Sequence, residues 1–512
     1  MSRALLAAAL SALCLVVAGS PAAAQETLPR VHVAQGDVIG DRAGDIEIFR
    51  GLPYAADAGG ATRWRAPQPA TPWTGDRDAS AFGPICTQPV SISSPALRVR
   101  PQSENCLSLN IWKPADARNA PVMVWIHGGA NTFGSGSDVY YDGAAFARRG
   151  VVLVTINYRV GYLGFFSHPA LAADGGNLVN YGLLDQIAAL KWVQANIAGF
   201  GGDPANVTVF GESAGGAAVL YLLASPDARG LFAKAGIESG GGLRLPRDVA
   251  AVTREGRDLA QKLGLTGHAV TADALRAIPA EQFIQNGIRP VTPGFGPATG
   301  GAALPETPLA AMRGGRSAAV PLIIGVNSNE ASLVQSYGMQ PETIIEQFGG
   351  RLPGLSDAYG PAVTRDDALY ARRLYGDVVF AYPARAVAVA HSRRAPVWLY
   401  WFDYVPEGRR AEAAGVAHAA EIPYVFDTPR EAAGLPAISA VDKAYAEGVN
   451  ACFASLALTG RPSDAPLCAG WQPYDRARDN WFAFAPTPAE IERRDRRQLD
   501  AIGTALSRFN LD

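Results

Sequence analysis

The chain has 512 residues, 48% of them hydrophobic, and carries 45 Lys and Arg against 47 Asp and Glu for a net charge of −2. That balance excludes the basic footprint of a nucleic-acid binder or of a protein held on an anionic membrane, while the length supplies material for a large core. Large α/β enzymes of this size run as one domain, and no internal repeat or low-complexity tract beyond an alanine-rich leader divides this chain.

The leader comes first. Arg3 gives a basic start, Ala4 to Val17 an apolar stretch, and Ala22-Ala23-Ala24 a small-residue cleavage site before Gln25. The apolar stretch is shorter than the roughly 20 residues needed to cross a bilayer. Residues 1–24 are therefore expected to direct export and be removed, leaving 25–512 as a single soluble domain in the periplasm or the medium. Bulky Leu13 before Cys14 argues against a lipid anchor. Without the leader, Cys86, Cys106, Cys452 and Cys468 remain, an even set suited to an oxidising compartment. Pairing them in sequence closes two short loops, worth roughly 3 kcal/mol each in the chain-entropy model. No Cys-x-x-Cys or His-x-His spacing accompanies them, so no metal site is expected.

Strands are expected at Val31–Val33, Ile46–Phe49, Leu107–Trp112, Val122–Ile126, Val151–Ile156, Val207–Phe210, Pro321–Val326 and Val397–Phe402. Most central ones are continuously apolar, the pattern of strands covered on both faces. Between them, Leu184, Ile187, Leu190, Lys191, Val193 and Ile197 recur at helical spacing until Gly199, Gly201 and Gly202 break the run. Strand, crossover helix, strand is the doubly wound α/β plan: a mostly parallel twisted sheet flanked by helices. The regions from about Arg244 to Ala319 and from Leu333 to Pro396 read as helical insertions over the active-site face.

The chemistry concentrates in three places. Val122 to Ile126 runs into His127-Gly128-Gly129-Ala130, a loop of small residues that bares its backbone N–H groups. Such donors can hold a developing oxyanion, and losing one costs on the order of 3 kcal/mol of barrier. Val207 to Phe210 runs into Gly211-Glu212-Ser213-Ala214-Gly215 and then a helix-compatible stretch, the setting that forces a serine onto a sharp strand-to-helix turn. A serine hydroxyl needs a base, and of the six histidines His418 follows a strand at the sheet's carboxyl edge, in the order serine, acid, histidine. Two carboxylates qualify as the acid: Glu330, just after the strand ending at Val326, and Asp403, at the end of the strand Trp398–Phe402. Either could orient the imidazole and stabilise its protonated form.

Taken together, these segments resemble the type B carboxylesterases, the α/β-hydrolase branch that includes bacterial para-nitrobenzyl-type esterases and cholinesterases. The resemblance rests on Phe49-Arg50-Gly51-Leu52-Pro53-Tyr54, Arg63-Trp64, Ser103 to Ile111, Asn157-Tyr158-Arg159 and above all Asn180 to Gly216. It implies an α/β-hydrolase fold and hydrolysis of a small-molecule carboxylic ester without cofactor or metal. It also implies Ser213 as nucleophile, Glu330 as acid and His418 as base, with Gly129, Ala130 and Ala214 forming the oxyanion hole. Gly128, Asn131 and Ser239 would lie at the substrate site, and Cys86–Cys106 would be a disulfide. Departures matter. Ala130 replaces the family's third glycine but keeps its N–H, and Asn131 stands where an aromatic is usual. No aromatic lies between Cys86 and Cys106, where cholinesterases carry a choline-binding tryptophan, so choline esters are not expected as substrates. Phe133, Phe295, Trp401 and Phe402 are candidates for the pocket wall, and Arg98 and Arg100 for contact with an anionic ester. An amidase would use the same triad, whereas a non-catalytic cholinesterase-like adhesion module would lack part of it. Oligomeric state is not legible in the sequence.

Overall fold

The computed structural model describes residues 28–507 apart from 90–94, 174–178, 242–246, 268–269, 288–295, 337, 351, 353 and 431–436. The expected leader, His268 and Phe295 lie outside the described residues. Eleven strands build the central sheet. In chain order they are β1 (Asp41–Ala43), β2 (Ile46–Pro53), β3 (Ser108–Pro114), β4 (Ala120–Ile126), β5 (Val152–Ile156) and β6 (Gly202–Glu212). The remainder are β7 (Lys234–Glu238), β8 (Leu322–Asn327), β9 (Val397–Phe402), β10 (Asn480–Phe484) and β11 (Ala489–Glu492).

Across the sheet the order is β1-β2-β3-β5-β4-β6-β7-β8-β9-β10-β11. From β5 to β10 all neighbours are parallel, and the strands beyond them at either edge pair antiparallel. Every residue of β5 and β8 is buried, which is why these strands read as unbroken apolar runs.

Alternation along each strand divides the core in two. Val122, Val124 and Ile126 of β4 face a cluster shared with α1 (Tyr181–Asn196), α2 (Ala214–Ala224), α3 (Tyr382–His391) and α4 (Arg496–Ser507). Met123 and Trp125 face the opposite way, into a cluster with Val449, Phe453 and Leu456 of the helix Ala440–Thr459. The sheet is thus sandwiched between helices, as the doubly wound pattern predicts. Val31–Val33 is the exception: it lies in a separate three-stranded sheet with Gly36–Ile39 and Asp76–Asp78. Cys86 is bonded to Cys106 and Cys452 to Cys468. Among the described residues no helix is long and apolar enough to cross a membrane.

One close approach fixes the sheet against α2. A Cβ at Gly215 would run into the Ile126 carbonyl oxygen and lie 2.8 Å from that of His127, both backbone atoms with nowhere to go. Alanine is the better helix former by about 1 kcal/mol, but overpacking of this kind costs about 3 kcal/mol. Gly215→Ala is therefore expected to lose about 2 kcal/mol of stability in urea unfolding. An unchanged midpoint would show that α2 is free to shift.

Candidate active site

Ser213 sits between β6 and α2 with φ 53° and ψ −119°. A left-handed backbone at a non-glycine residue costs of order 1–3 kcal/mol and persists only where its surroundings enforce it. Here they do: the Ser213 N–H donates to the Glu238 carbonyl at 2.8 Å, and the Ala217 N–H donates to the Ser213 carbonyl at 2.8 Å. Gly211 and Gly216 are pressed against backbone on either side, the former against Ile126 O and the latter against Glu238 O.

The imidazole arrives from a turn pinned to the end of β8. Val416 N–H donates to Ser328 Oγ and His418 N–H to Ser332 Oγ, each at 2.8 Å, and Asn327 Nδ2 donates to Ala417 O at 2.9 Å. His418 Nε2 then lies 2.9 Å from Ser213 Oγ, and His418 Nδ1 lies 2.6 Å from Glu330 Oε2. The other oxygen of Glu330 accepts from the Asn327 N–H at 2.7 Å and from Ser239 Oγ at 2.6 Å. Ser213, His418 and Glu330 thus form one continuous hydrogen-bonded line, though the first two are 205 residues apart. Asp403, the other candidate acid, is exposed at the end of β9 and takes no part. Its charge acts on the half-buried Arg494, whose guanidinium stacks 3.1 Å over Trp401.

Opposite the serine lies the small-residue loop. A Cβ at Gly128 would come within 3.3 Å of Ser213 Cβ, so the loop backbone abuts the hydroxyl-bearing residue. Gly129, Ala130 and Asn131 follow at φ 100°, 54° and 59°. The Gly129 carbonyl accepts from Thr132 N–H at 2.9 Å and Phe133 N–H at 3.1 Å, turning it into its own loop. His127 braces the start: its ring stacks on Tyr158 at 4.3 Å and its Nδ1 lies 2.8 Å from Gly128 O. Burial lowers the pKa of His127 to about 4, so it stays neutral and donates from Nδ1. Ala214 begins α2, with its N–H at the helix N-terminus beside the same space.

A profile of the Carboxylesterase family matches residues 27–352 and 363–501. The chain belongs to this family. The para-nitrobenzyl esterase of Bacillus subtilis (strain 168) is 36% identical over 469 residues, covering 87% of this chain and 92% of its own. The fumonisin B1 esterase of Sphingopyxis macrogoltabida is 36% identical over 483 residues, covering 89% and 87%. Among solved structures, a PNB esterase superposes with a TM-score of 0.82 at 32% identity, over 93% of this chain and 99% of that one. This carboxylesterase is accordingly a carboxylic ester hydrolase with the α/β-hydrolase fold, as the motifs implied.

Two neighbours of the imidazole escaped the sequence. Glu212 Oε1 stands 3.2 Å from His418 Nε2 but too far off line to hydrogen-bond. Phe380, from the helical turn 377–381, packs its ring 5.1 Å from that of His418. Burial lowers the His418 pKa, yet the charges of Glu212, Glu330 and Glu421 outweigh it and raise it to about 9. Burial also pushes the Glu212 carboxyl well above the usual carboxylate range. The two titrate as a unit: a charged Glu212 holds the imidazole protonated, and a protonated Glu212 lets it fall back.

Of the remaining candidates, Asn131 is 4% exposed, with its amide against Gly296 and its carbonyl accepting from Gly161 N–H at 2.6 Å. Phe402 packs in the core against Tyr424 and Phe484, and Trp401 lies under Arg494, so β9 contributes structure there. Arg98 is exposed, and Arg100 stacks 4.5 Å over Phe82.

Proposed function

We propose that this carboxylesterase works through an acyl-enzyme on Ser213. The observation that carries the reading is the unbroken line from Ser213 Oγ through His418 to Glu330. Neutral His418 accepts the hydroxyl proton at Nε2 as Ser213 Oγ attacks the ester carbonyl, while its Nδ1–H is held by Glu330. Negative charge gathering on the carbonyl oxygen is met by the N–H groups of Gly129, Ala130 and Ala214, with Gly128 giving the loop room to approach. The imidazolium then protonates the departing alcohol. Water, deprotonated by the same ring, releases the acid. Every step uses groups of the chain and solvent.

Ser239 acts by holding Glu330 rather than by touching the ester. Asn131, at the loop's end, makes that wall polar. With no aromatic between Cys86 and Cys106 to seat a quaternary ammonium, small or medium non-choline esters are the substrates this reading favours. Two disulfides and the apolar leader support export to the periplasm or the medium.

The direct test is covalent. An organophosphate such as paraoxon should inactivate the enzyme with one phosphoryl adduct, mapped by mass spectrometry to the peptide bearing Ser213. Labelling elsewhere, or inactivation without an adduct, would remove the acyl-enzyme mechanism.

A further inference from the structure

Behind the hydroxyl–imidazole line, the sheet carries a row of buried polar groups that the reaction above does not use. Glu212 of β6 is paired in register with Glu238 of β7, Glu238 with Gly325 of β8, and Gly325 with Tyr400 of β9. In a parallel sheet, residues paired this way project to the same face, with neighbouring strands about 4.8 Å apart. Gly325 supplies no side chain to the row, and a Cβ there would strike the Tyr400 ring, which leans into that space. Glu212 is 3% exposed, Glu238 0% and Tyr400 1%. Among the described residues, both carboxyl oxygens of Glu238, Oε1 of Glu212 and the Tyr400 hydroxyl have no hydrogen-bond partner. Nor do the described residues hold a group of three or more His, Cys, Asp or Glu placed to bind a metal ion.

Two carboxyl groups on paired positions of neighbouring strands, out of water and with only the His418 imidazole close to one of them as a cation, cannot both ionise. The arrangement is that of a dyad in which one proton serves two acids. We propose that Glu212 and Glu238 hold a single proton between them, making Glu238 a positioning residue that sets the charge Glu212 presents to His418. The proposal rests on the serine mechanism above and adds to it a group one strand farther from the chemistry.

The charged and titratable groups facing the dyad are few. His418 and Glu421 come from the turn at 417–421, Glu330 from the loop after β8, Tyr400 from β9, and Tyr141 lies near Glu212. Glu421 keeps one oxygen on Asn327 Nδ2, and burial pushes its carboxyl up to about 7. Burial raises Glu238 well above the ordinary range, and Glu421 and Glu212 push it in the same direction. Within this cluster only Glu212 reaches the face of Nε2, so the dyad's charge acts on the imidazole through Glu212.

The test is the acid limb of kcat against pH, where activity is lost as falling pH protonates His418. Glu238→Gln keeps a hydrogen-bond donor for Glu212 but has no proton to surrender. It should pin the negative charge on Glu212 and move the limb to higher pH by about 0.5–1 unit. Glu238→Leu removes the donor, so buried Glu212 takes a proton of its own and the limb should move to lower pH by a similar amount. Opposite shifts are the signature. Equal downward shifts would mean Glu238 was ionised in its own right, and no shift in either variant would mean that the two carboxyls do not communicate; each overturns the proposal. A second readout needs no turnover and survives failure of the acyl-enzyme reading. The wild-type-minus-Glu238→Gln infrared difference spectrum at neutral pH should contain a protonated-carboxyl band, and carboxylate bands alone would refute the shared proton.

Discussion

Ser213→Ala is expected to leave a folded protein whose kcat on para-nitrophenyl acetate is lower by a factor on the order of 10⁶. The size follows from how the site is built. The imidazole, Glu330 and the small-residue loop all converge on one hydroxyl, and none of them is itself placed to attack the ester. What remains after its removal is binding and oxyanion stabilisation, which on their own retain a rate above that of water. The substitution removes one oxygen and leaves the left-handed backbone to alanine, whose cost there is similar, so the urea midpoint should move little. Activity within a hundred-fold of wild type, measured on protein freed of contaminating esterase by an inactive tag control, would place the nucleophile elsewhere.

Glu330→Gln should lower kcat by about 10⁴ while leaving KM within a few-fold. Oε1 of Glu330 receives two donors, the Asn327 N–H and Ser239 Oγ, whereas Oε2 receives one, from His418 Nδ1. A glutamine must set its NH₂ on one side or the other, and the side with a fixed backbone N–H is the worse host. The amide therefore turns its NH₂ toward the imidazole, which answers by becoming an acceptor at Nδ1 and carrying its proton on Nε2. That tautomer cannot take a proton from Ser213. Loss of less than ten-fold would show that Glu330 only packs beside the ring; a matching loss in Asp403→Asn would show that the exposed carboxylate matters after all.

How much of this was legible depended on whether the signal was local. The turn at Ser213 and the loop at Gly128 to Ala130 were readable because each lies next to its own buried strand, in a stretch of ten residues or so. The acid was not decided by the residues alone, since Glu330 and Asp403 both follow strands. The family resemblance favours Glu330, and the packing sets the two apart, one carboxylate buried under the imidazole and the other left in solvent near Arg494. β7 was missed because Lys-Ala-Gly-Ile-Glu carries one large apolar side chain between two charges, and burial of its glutamate is imposed by neighbouring strands. β1 and β11 are the two edge strands, short paired segments that lack the apolar run of the centre. Glu212 lies inside the Gly-x-Ser-x-Gly turn, but at a position whose residue type the motif leaves open, and Phe380 belongs to no motif. Their place beside His418 comes from strand register and from the helical turn at 377–381, neither of which sequence spacing encodes. Val31–Val33 was legible as a strand, but its membership of a small separate sheet, with a hairpin partner three residues away, was not.

The clasp around Glu330 has a bearing on how the protein matures. Its carboxylate is gripped at once from the exit of β7, the exit of β8 and the turn bearing His418, so the grip exists only when three remote stretches of polypeptide have already found one another. Catalytic competence is consequently expected to return late in refolding, after helix content and tryptophan burial. A batch assayed for ester cleavage is being counted for completed molecules rather than for compact ones.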